Sequence, residues 1–328
     1  MPKQKYISLI AIFGLIFSIQ KLSFAEWYKA ERAIMGTAIH VELWHTDKII
    51  AEKIIQQVFT EMRRIDSSMS PYKNDSELSL INQHAANKPF KISSELFNLI
   101  QQSINISEIS KGAFDITFSS VGQFYDYRKK QTPTKKEVSE NLKKINYKNI
   151  QLDKKNKTIF FTQTGTRIDL GGIAKGYAVD NAINLLQQQG ITQAMVSAGG
   201  DTRIIGDKGG RPWYVGIRHP RDKNKSAVVL PLSQTAISTS GDYERYFIKD
   251  DVRHHHIIEP STGDSARELR SVSILGSDST TVDALSTTVF ILGLNKGMKL
   301  ISSLPNTEAI VIDNNGLMHY STGLQSAQ

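Results

Sequence analysis

Helical and strand periodicities alternate along this chain without settling into a regular βαβ rhythm. In "DKIIAEKIIQQVFTEMRRIDSSM" the apolar residues Ile49, Ile50, Ile54, Ile55, Val58, Met62 and Ile65 recur at helical spacing. "SSELFNLIQQSINISEISKG" predicts a second helix, capped by Ser93 or Ser94 and stopped by Gly112, with a short helix before it at "SELSLINQ". "AIMGTAIHVELWH" alternates like a strand, and "AFDITFSSVGQFY" starts a loop or short strand. From residue 150 strand character rises. "IQLDKKNKTIFFTQTGTRIDLGG" predicts a hairpin running into a third strand, and "ITQAMVSAGGDTRIIG" predicts two strands about a glycine turn. "WYVGIRHP", "SAVVLPLSQTAISTSG" and "ERYFIKDDVRHHHIIEP" read as further strands. Helices are expected at "AKGYAVDNAINLLQQQG", ending at Gly190, at "TVDALSTTVFILG", opened by Thr280 or Thr281 and closed by Gly293, and at "KGMKLISSLP". "TEAIVIDNNGLMHYST" closes the chain as a hairpin turning at "NNG". The class this implies is α+β, with mixed β-sheets and packed helices.

The first 25 residues stand apart. Two lysines in "MPKQK" precede "YISLIAIFGLIFSI", and small residues follow before Glu26. This is the pattern of a secretory signal peptide, with a cut expected after Ala25. The rival is an uncleaved inner-membrane anchor, but the apolar run falls short of the roughly 20 residues a spanning helix needs. The remainder, 26–328, is expected to be one domain, with room for two intimate subdomains. The chain has no cysteine, which suits an oxidising compartment and excludes thiolate nucleophiles and thiolate metal ligands. A periplasmic location is the expectation. Without Lys3, Lys5 and Lys21 the chain keeps 37 basic against 32 acidic side chains, a net +5. Much of that excess lies at 127–157, which reads as a solvated helix and loop. A nucleic-acid site would want aromatics interleaved with the basic groups and a more basic domain.

Five polar, glycine-rich stretches interrupt the apolar pattern: "KGAFDIT", "DLGGIAKGYAVD", "SAGGD", "HHHIIEP" and "DALST". "DLGGIAKG" stands between strand and helix, where free N–H groups attract anions. It is neither the phosphate-loop nor the dinucleotide pattern, and such a strand-to-helix glycine turn by itself is more often only a turn. Lys175 at the first helical turn has the reach for a pyrophosphate, as a point charge. "DALST" sets Asp283 and Thr287 four apart, on one helix face. A carboxylate and a hydroxyl there suit a hard cation such as magnesium; a capping Asp beside an unrelated Thr is the plainer alternative. In "RHHHIIEPSTG" a strand would turn His254 and His256 to one face and His255 to the other. No further His or carboxylate set accompanies them to make a zinc site, but the turn that follows is a good place to hold a general base.

Taken in order, these segments resemble the ApbE-type family of FAD:protein FMN transferases. The resemblance rests on Met35-Gly36-Thr37, "MSPYKNDSEL", "GAFDIT", "DLGGIAKGYAVD", "SAGGD", "HIIEPSTG" and "DALSTTVFILG", and runs from about residue 33 to the C-terminus. It implies an ApbE-like, T-fold-related α+β architecture that binds FAD as substrate and a divalent cation, usually Mg2+. It implies transfer of FMN onto a Thr or Ser hydroxyl of a partner protein through a phosphoester, with release of AMP. The acceptors it implies are exported redox proteins, such as subunits of membrane redox complexes. Carried over residue by residue, Met35 and Tyr72 would line the flavin or adenine pocket. Ala113, Phe114 and Asp115 would hold the adenosine part. Asp169, Lys175 and Ile257 would sit beside FAD. Ala174, through its carbonyl, with Asp283 and Thr287 would hold the metal. His256 would take the proton of the acceptor hydroxyl, with the ordinary histidine pKa near 6.5 suiting that task. His254 and His255 would be strand or surface residues, and Asp201 a turn former or an accessory to the site. Where the family usually has aspartate this chain has Glu259, whose contacts to the turn are left open. Two other functions use the same residues: a magnesium-dependent FAD pyrophosphatase with water as acceptor, and a periplasmic flavin-binding protein without turnover.

Overall fold

The structure, a computed structural model, describes residues 25–325. The expected signal peptide, apart from Ala25, therefore lies outside the described residues. In chain order the strands are β1 (Glu26–Ile34), β2 (Thr37–His45), β3 (Phe90–Lys91), β4 (Ile150–Asp153), β5 (Thr158–Phe161), β6 (Ala194–Ala198), β7 (Asp201–Ile205), β8 (Trp213–Arg218), β9 (Ser226–Leu232), β10 (Ala236–Gly241), β11 (Tyr246–Lys249), β12 (Val252–His255), β13 (Leu269–Gly276), β14 (Glu308–Asp313) and β15 (Met318–Tyr320). The helices are α1 (Lys48–Met69), α2 (Glu77–His84), α3 (Ser94–Ile109), α4 (Ser119–Gly122), α5 (Lys135–Asn141), α6 (Ala174–Gln188), α7 (Ser279–Ser302) and α8 (Thr322–Gln325).

Eight strands form the main sheet in the order β1-β2-β6-β7-β10-β13-β14-β15, and every neighbouring pair in it is antiparallel. Smaller sheets join β3-β5-β4, β8-β9 and β11-β12. This is the expected α+β class. Helices α1, α6 and α7 lie against the main sheet, and their apolar residues merge with it in one core cluster: Ile54, Val58 and Met62 from α1, Ala178 and Ile183 from α6, Val289 and Phe290 from α7. A second, smaller cluster of Ile217, Ile237, Leu275 and Ile310 packs beneath the β8-β9 hairpin. Among the described residues no helix is long and apolar enough to cross a membrane.

Four local expectations are corrected. "AIMGTAIHVELWH" is not one strand: Met35 and Gly36 both take positive φ, 56° and 72°, and the chain reverses there into the β1-β2 hairpin. That is the two-residue turn whose twist suits a hairpin. The stretch after β5, "TRIDL", forms no strand. Its backbone bonds go elsewhere: Ile168 N–H to Asn82 Oδ1 at 2.8 Å and Asp169 N–H to the Ile116 carbonyl at 2.9 Å. Asp278, not Thr280 or Thr281, caps α7, accepting from Thr281 N–H at 2.8 Å. Strand β12 stops at His255, so His256 has left the strand and the alternation no longer pairs it with His254. One strand, β13, was not anticipated, although "LRSVSILG" is buried almost throughout in the middle of the sheet. Gly293 does break the last long helical stretch in two, at φ 76°.

Candidate functional site

Gly176 lets α6 and α7 approach closely. A Cβ there would overlap the Ser279 carbonyl oxygen and stand 2.8 Å from Asp283 Cβ. This is the packing reason for the second glycine motif, and it brings the N-terminal turn of α6 onto Asp283. Gly176 N–H donates to Asp283 Oδ2 at 2.9 Å, and Lys175 Nζ lies 3.4 Å from Asp283 Oδ1. The same ammonium pairs with Asp201, the first residue of β7 after the Gly199-Gly200 turn. In the antiparallel register of β7 and β10, Ser238 lies opposite Asp201, and its hydroxyl donates to Asp201 Oδ1. Ser240, two residues on and so on the same face, meets Ser286 Oγ at 2.7 Å and Thr287 Oγ1 at 3.2 Å. Asp201, Ser238, Asp283 and Ser286 are buried, while Thr287 is half-buried.

The charges within this cluster do not balance. Burial, and then the Asp201 carboxylate beside it, push the Asp283 carboxyl up to about 7. Burial works against the Lys175 charge, but the two carboxylates outweigh it and hold the ammonium above its ordinary value. Lys175 is thus committed to Asp201 and Asp283. The expected reach of Lys175 to a pyrophosphate therefore concerns an ammonium that already pairs with two buried carboxylates.

The other segments close around this cluster. A Cβ on Gly172 would touch Phe114 at 3.2 Å and Thr287 Oγ1 at 3.4 Å, so the "DLGG" turn, "GAFD" and "DALST" meet at that glycine. Phe114 is buried and Ala113 half-buried. Asp115 is occupied locally: Oδ1 accepts from Thr117 N–H at 2.8 Å and Thr117 Oγ1 at 2.6 Å, and Oδ2 from Tyr147 N–H at 2.7 Å. It shapes the loop that presents Ala113 and Phe114. Asp169 is half-buried, with Oδ1 accepting from Gly171 N–H at 2.6 Å, and burial raises its carboxyl above the usual range. The Met35-Gly36 turn leads into Thr37, whose hydroxyl would be 2.7 Å from a Cβ on Gly199. Tyr72 is 80% exposed, and its hydroxyl accepts from Arg245 Nη1 at 3.4 Å.

Of the three histidines, His255 is the anchor. Its Nε2 lies 2.6 Å from the Ala266 carbonyl, its N–H donates to Ser265 Oγ at 2.9 Å, and its carbonyl accepts from Ser265 Oγ and Tyr127 Oη. Burial pushes its pKa down to about 4. His254 stacks on Phe247 with ring centroids 5.3 Å apart. His256 is held through its backbone, N–H to the Arg245 carbonyl at 3.2 Å, between this anchor and buried Ile257. Its ring Nδ1 is buried with no hydrogen-bond partner, so nothing in the free protein fixes its tautomer. Burial, then the charges of Arg245, His255 and Lys175, push its pKa down to about 3. The ordinary value near 6.5 expected from the sequence is corrected: burial first, and then the neighbouring charges, disfavour the protonated ring. Glu259 does reach its turn: its carboxylate accepts from Ser261 Oγ at 2.7 Å and Thr262 Oγ1 at 3.3 Å, and its N–H bonds the Asp264 carbonyl at 2.8 Å.

Among the described residues no three His, Asp or Glu side chains gather as a metal cage. A carbonyl, one carboxylate and one hydroxyl make a different donor set, all hard oxygens, which is the chemistry magnesium takes. Asp283 and Thr287 share a face of α7, and Ala174 opens α6 where it abuts that face. The residues present therefore fit such an ion. The contact at Gly176 gives a first expectation. Gly176→Ala must push α6 off α7 and should lose about 1–3 kcal/mol of stability, as overpacked cores do. Urea unfolding reads this, and an unchanged midpoint would show that the two helices are not in the close contact described.

Sequence reasoning did not find Arg245, Ser238 or Ser240, and it set Asp201 aside. The serines carry no motif signal; only the β7-β10 register reveals them.

Comparison with known proteins places this site in context. The sequence profile of the ApbE family matches residues 35–311. The FAD:protein FMN transferase of Haemophilus influenzae is 32% identical over 308 residues, covering 88% of this chain and 89% of that protein. The FAD:protein FMN transferase of Treponema pallidum is 30% identical over 317 residues, 90% and 87% of the two. Among solved structures, the ApbE protein of Thermotoga maritima superposes with a TM-score of 0.84 at 35% identity, covering 92% of this chain and 99% of that one. The flavin transferase ApbE of Vibrio cholerae does so with a TM-score of 0.82 at 26% identity, with the same coverage.

Proposed function

The chain belongs to the ApbE family, and from that premise we propose that its own residues carry out the FAD:protein FMN transferase reaction as follows. FAD lies over the Phe114–Gly172 floor, between the Met35-Gly36 turn and the N-terminus of α6. The acceptor is a Thr or Ser hydroxyl of an exported redox protein, in keeping with the N-terminal sequence pattern. That hydroxyl oxygen attacks the phosphorus of the FMN phosphate. The bond from this phosphorus to the bridging oxygen breaks, AMP leaves with that oxygen, and the hydroxyl proton passes to the His256 ring. Ala174 O, Asp283 and Thr287 would hold magnesium, which when bound supplies charge neutralisation to the diphosphate and the departing AMP. The remaining work is positioning, as in phosphoryl transfer generally.

The observation that carries this reading is the meeting of an unpartnered His256 ring with a buried Lys175–Asp201–Asp283 cluster close enough for the Lys175 charge to act on that ring. A carrier has no use for an unpartnered imidazole beside a buried, charge-unbalanced cluster. The experiment is to incubate the mature protein with FAD, magnesium and a candidate acceptor domain and to weigh the acceptor intact. The expected result is a gain of one FMN that a chelator abolishes. AMP release with water in place of the acceptor would mark the pyrophosphatase. No gain and no AMP would mark the carrier.

A further inference from the structure

FAD brings a diphosphate with two negative charges into this site, and the inference that follows rests on the transferase reading. The obvious cation, Lys175, already pairs with two buried carboxylates. Counted together, Lys175, Asp201 and Asp283 have no positive charge of their own to spare for a diphosphate. Magnesium at Asp283 would neutralise the diphosphate from the α7 side; the opposite, open side of the site carries a cation of its own.

Arg245, in the loop between β10 and β11, stands there. Its Nη1 donates to Tyr72 Oη at 3.4 Å, and its Nη2 lies 3.9 Å from where a Gly36 Cβ would be. Its carbonyl takes the His256 N–H, so guanidinium and histidine belong to one local frame. The neighbouring arginines all have carboxylate partners: Arg218 with Glu244 at 3.0 Å, Arg221 with Asp242 at 2.6 Å and Arg253 with Asp242 at 3.6 Å. Arg245 has none among the described residues. An exposed guanidinium that bonds a tyrosine hydroxyl and makes no direct ion pair, with the Asp169 carboxylate acting on it only through space, has donors free for an anion.

We propose that Arg245 is the positioning residue for the diphosphate of FAD, clamping it from the Tyr72 and Gly36 side so that the transferred phosphorus faces His256. Its charge already acts on both Asp169 and His256 in the free protein. Tyr72 serves in this arrangement as the rest on which the guanidinium lies. A methyl group at position 36 would lie in ordinary van der Waals contact with its far edge.

The test measures FAD binding by flavin fluorescence for the wild type, R245A and R245K, with riboflavin as a probe that has the flavin and no phosphate. R245A should weaken FAD by about tenfold to hundredfold, the loss of hydrogen bonds to a charged group. R245K should keep part of the affinity, and riboflavin should bind all three alike. The salt dependence of FAD binding should flatten in R245A, since one screened ion contact is gone. FAD binding R245A at the wild-type Kd would overturn the proposal. So would riboflavin weakening in parallel with FAD, which marks a change of pocket shape. If riboflavin binds too weakly to measure, an unchanged salt slope for FAD overturns it instead. Failure of the wild type itself to bind FAD would count against the transferase reading and not against Arg245 alone.

Discussion

His256→Ala is expected to lower FMN transfer by about 10²- to 10⁴-fold, the range for loss of a positioned general base, while FAD still binds. The fold should survive, because His255 carries the local structure through Ser265, Tyr127 and Ala266 and His256 contributes only its backbone N–H. The pH profile is a sharper reading of the same residue. With a pKa of about 3, His256 is neutral in the free protein, and so able to accept a proton, above about pH 4. At saturating magnesium, kcat/KM should therefore show no acid limb from this group above about pH 4. In the complex the diphosphate opposes the neighbouring cations while bound FAD deepens the burial that is the larger cause, so the acid limb of kcat should lie higher only if the diphosphate's charge outweighs the lost hydration. Transfer by the alanine variant at the wild-type rate would remove His256 from the chemistry. A kcat/KM limb near 6.5 that vanishes in the variant would show that the ring is solvated in the free enzyme.

How far the sequence could be read depended on whether an interaction lay within one element or between several. Asp283 and Thr287 are one helical turn apart, so their shared face followed from spacing alone. The ends of α3 and α6 followed from Ser93, Gly112 and Gly190, since caps and left-handed stops are local events. The role of His256 came from resemblance to a family, because nothing in a tandem histidine triplet distinguishes its third member until the strand is seen to stop at its second. Asp201, Ser238, Ser240 and Thr287 are joined only by the pairing of β7 with β10 and the seating of α7 on that face. Strand register is set by the whole sheet, and no window of sequence contains it. The commitment of Lys175 was hidden for the same reason: its partners lie 26 and 108 residues away. The Met35-Gly36 turn was missed because methionine is not a residue that announces positive φ.

Asp283→Asn tests the metal ligand, and its effects should be large and tied to pH. Burial and Asp201 hold the folded-state pKa of Asp283 near 7, against about 4 in an unfolded chain. Between those values the folded protein binds a proton that the unfolded chain does not. This group's contribution to stability is therefore full at low pH and is lost as pH rises through the window. Magnesium binds the ionised carboxylate, so its binding displaces that proton and should strengthen with pH up to about 7. Two results are expected of the wild type. The metal-free protein should melt at a lower temperature at pH 8 than at pH 6, and added magnesium should raise the melting temperature more at pH 8. Asparagine keeps an oxygen for the Gly176 N–H but has no charge to lose. In the variant both differences should shrink, and the magnesium needed for AMP release should rise by about a hundredfold or more, beyond the tenfold to hundredfold typical of residues that only support a ligand. A magnesium titration unchanged by the substitution would exclude Asp283 as a ligand. A changed titration with an unchanged pH dependence of melting would place the raised pKa on Asp201, the other carboxylate that shares Lys175.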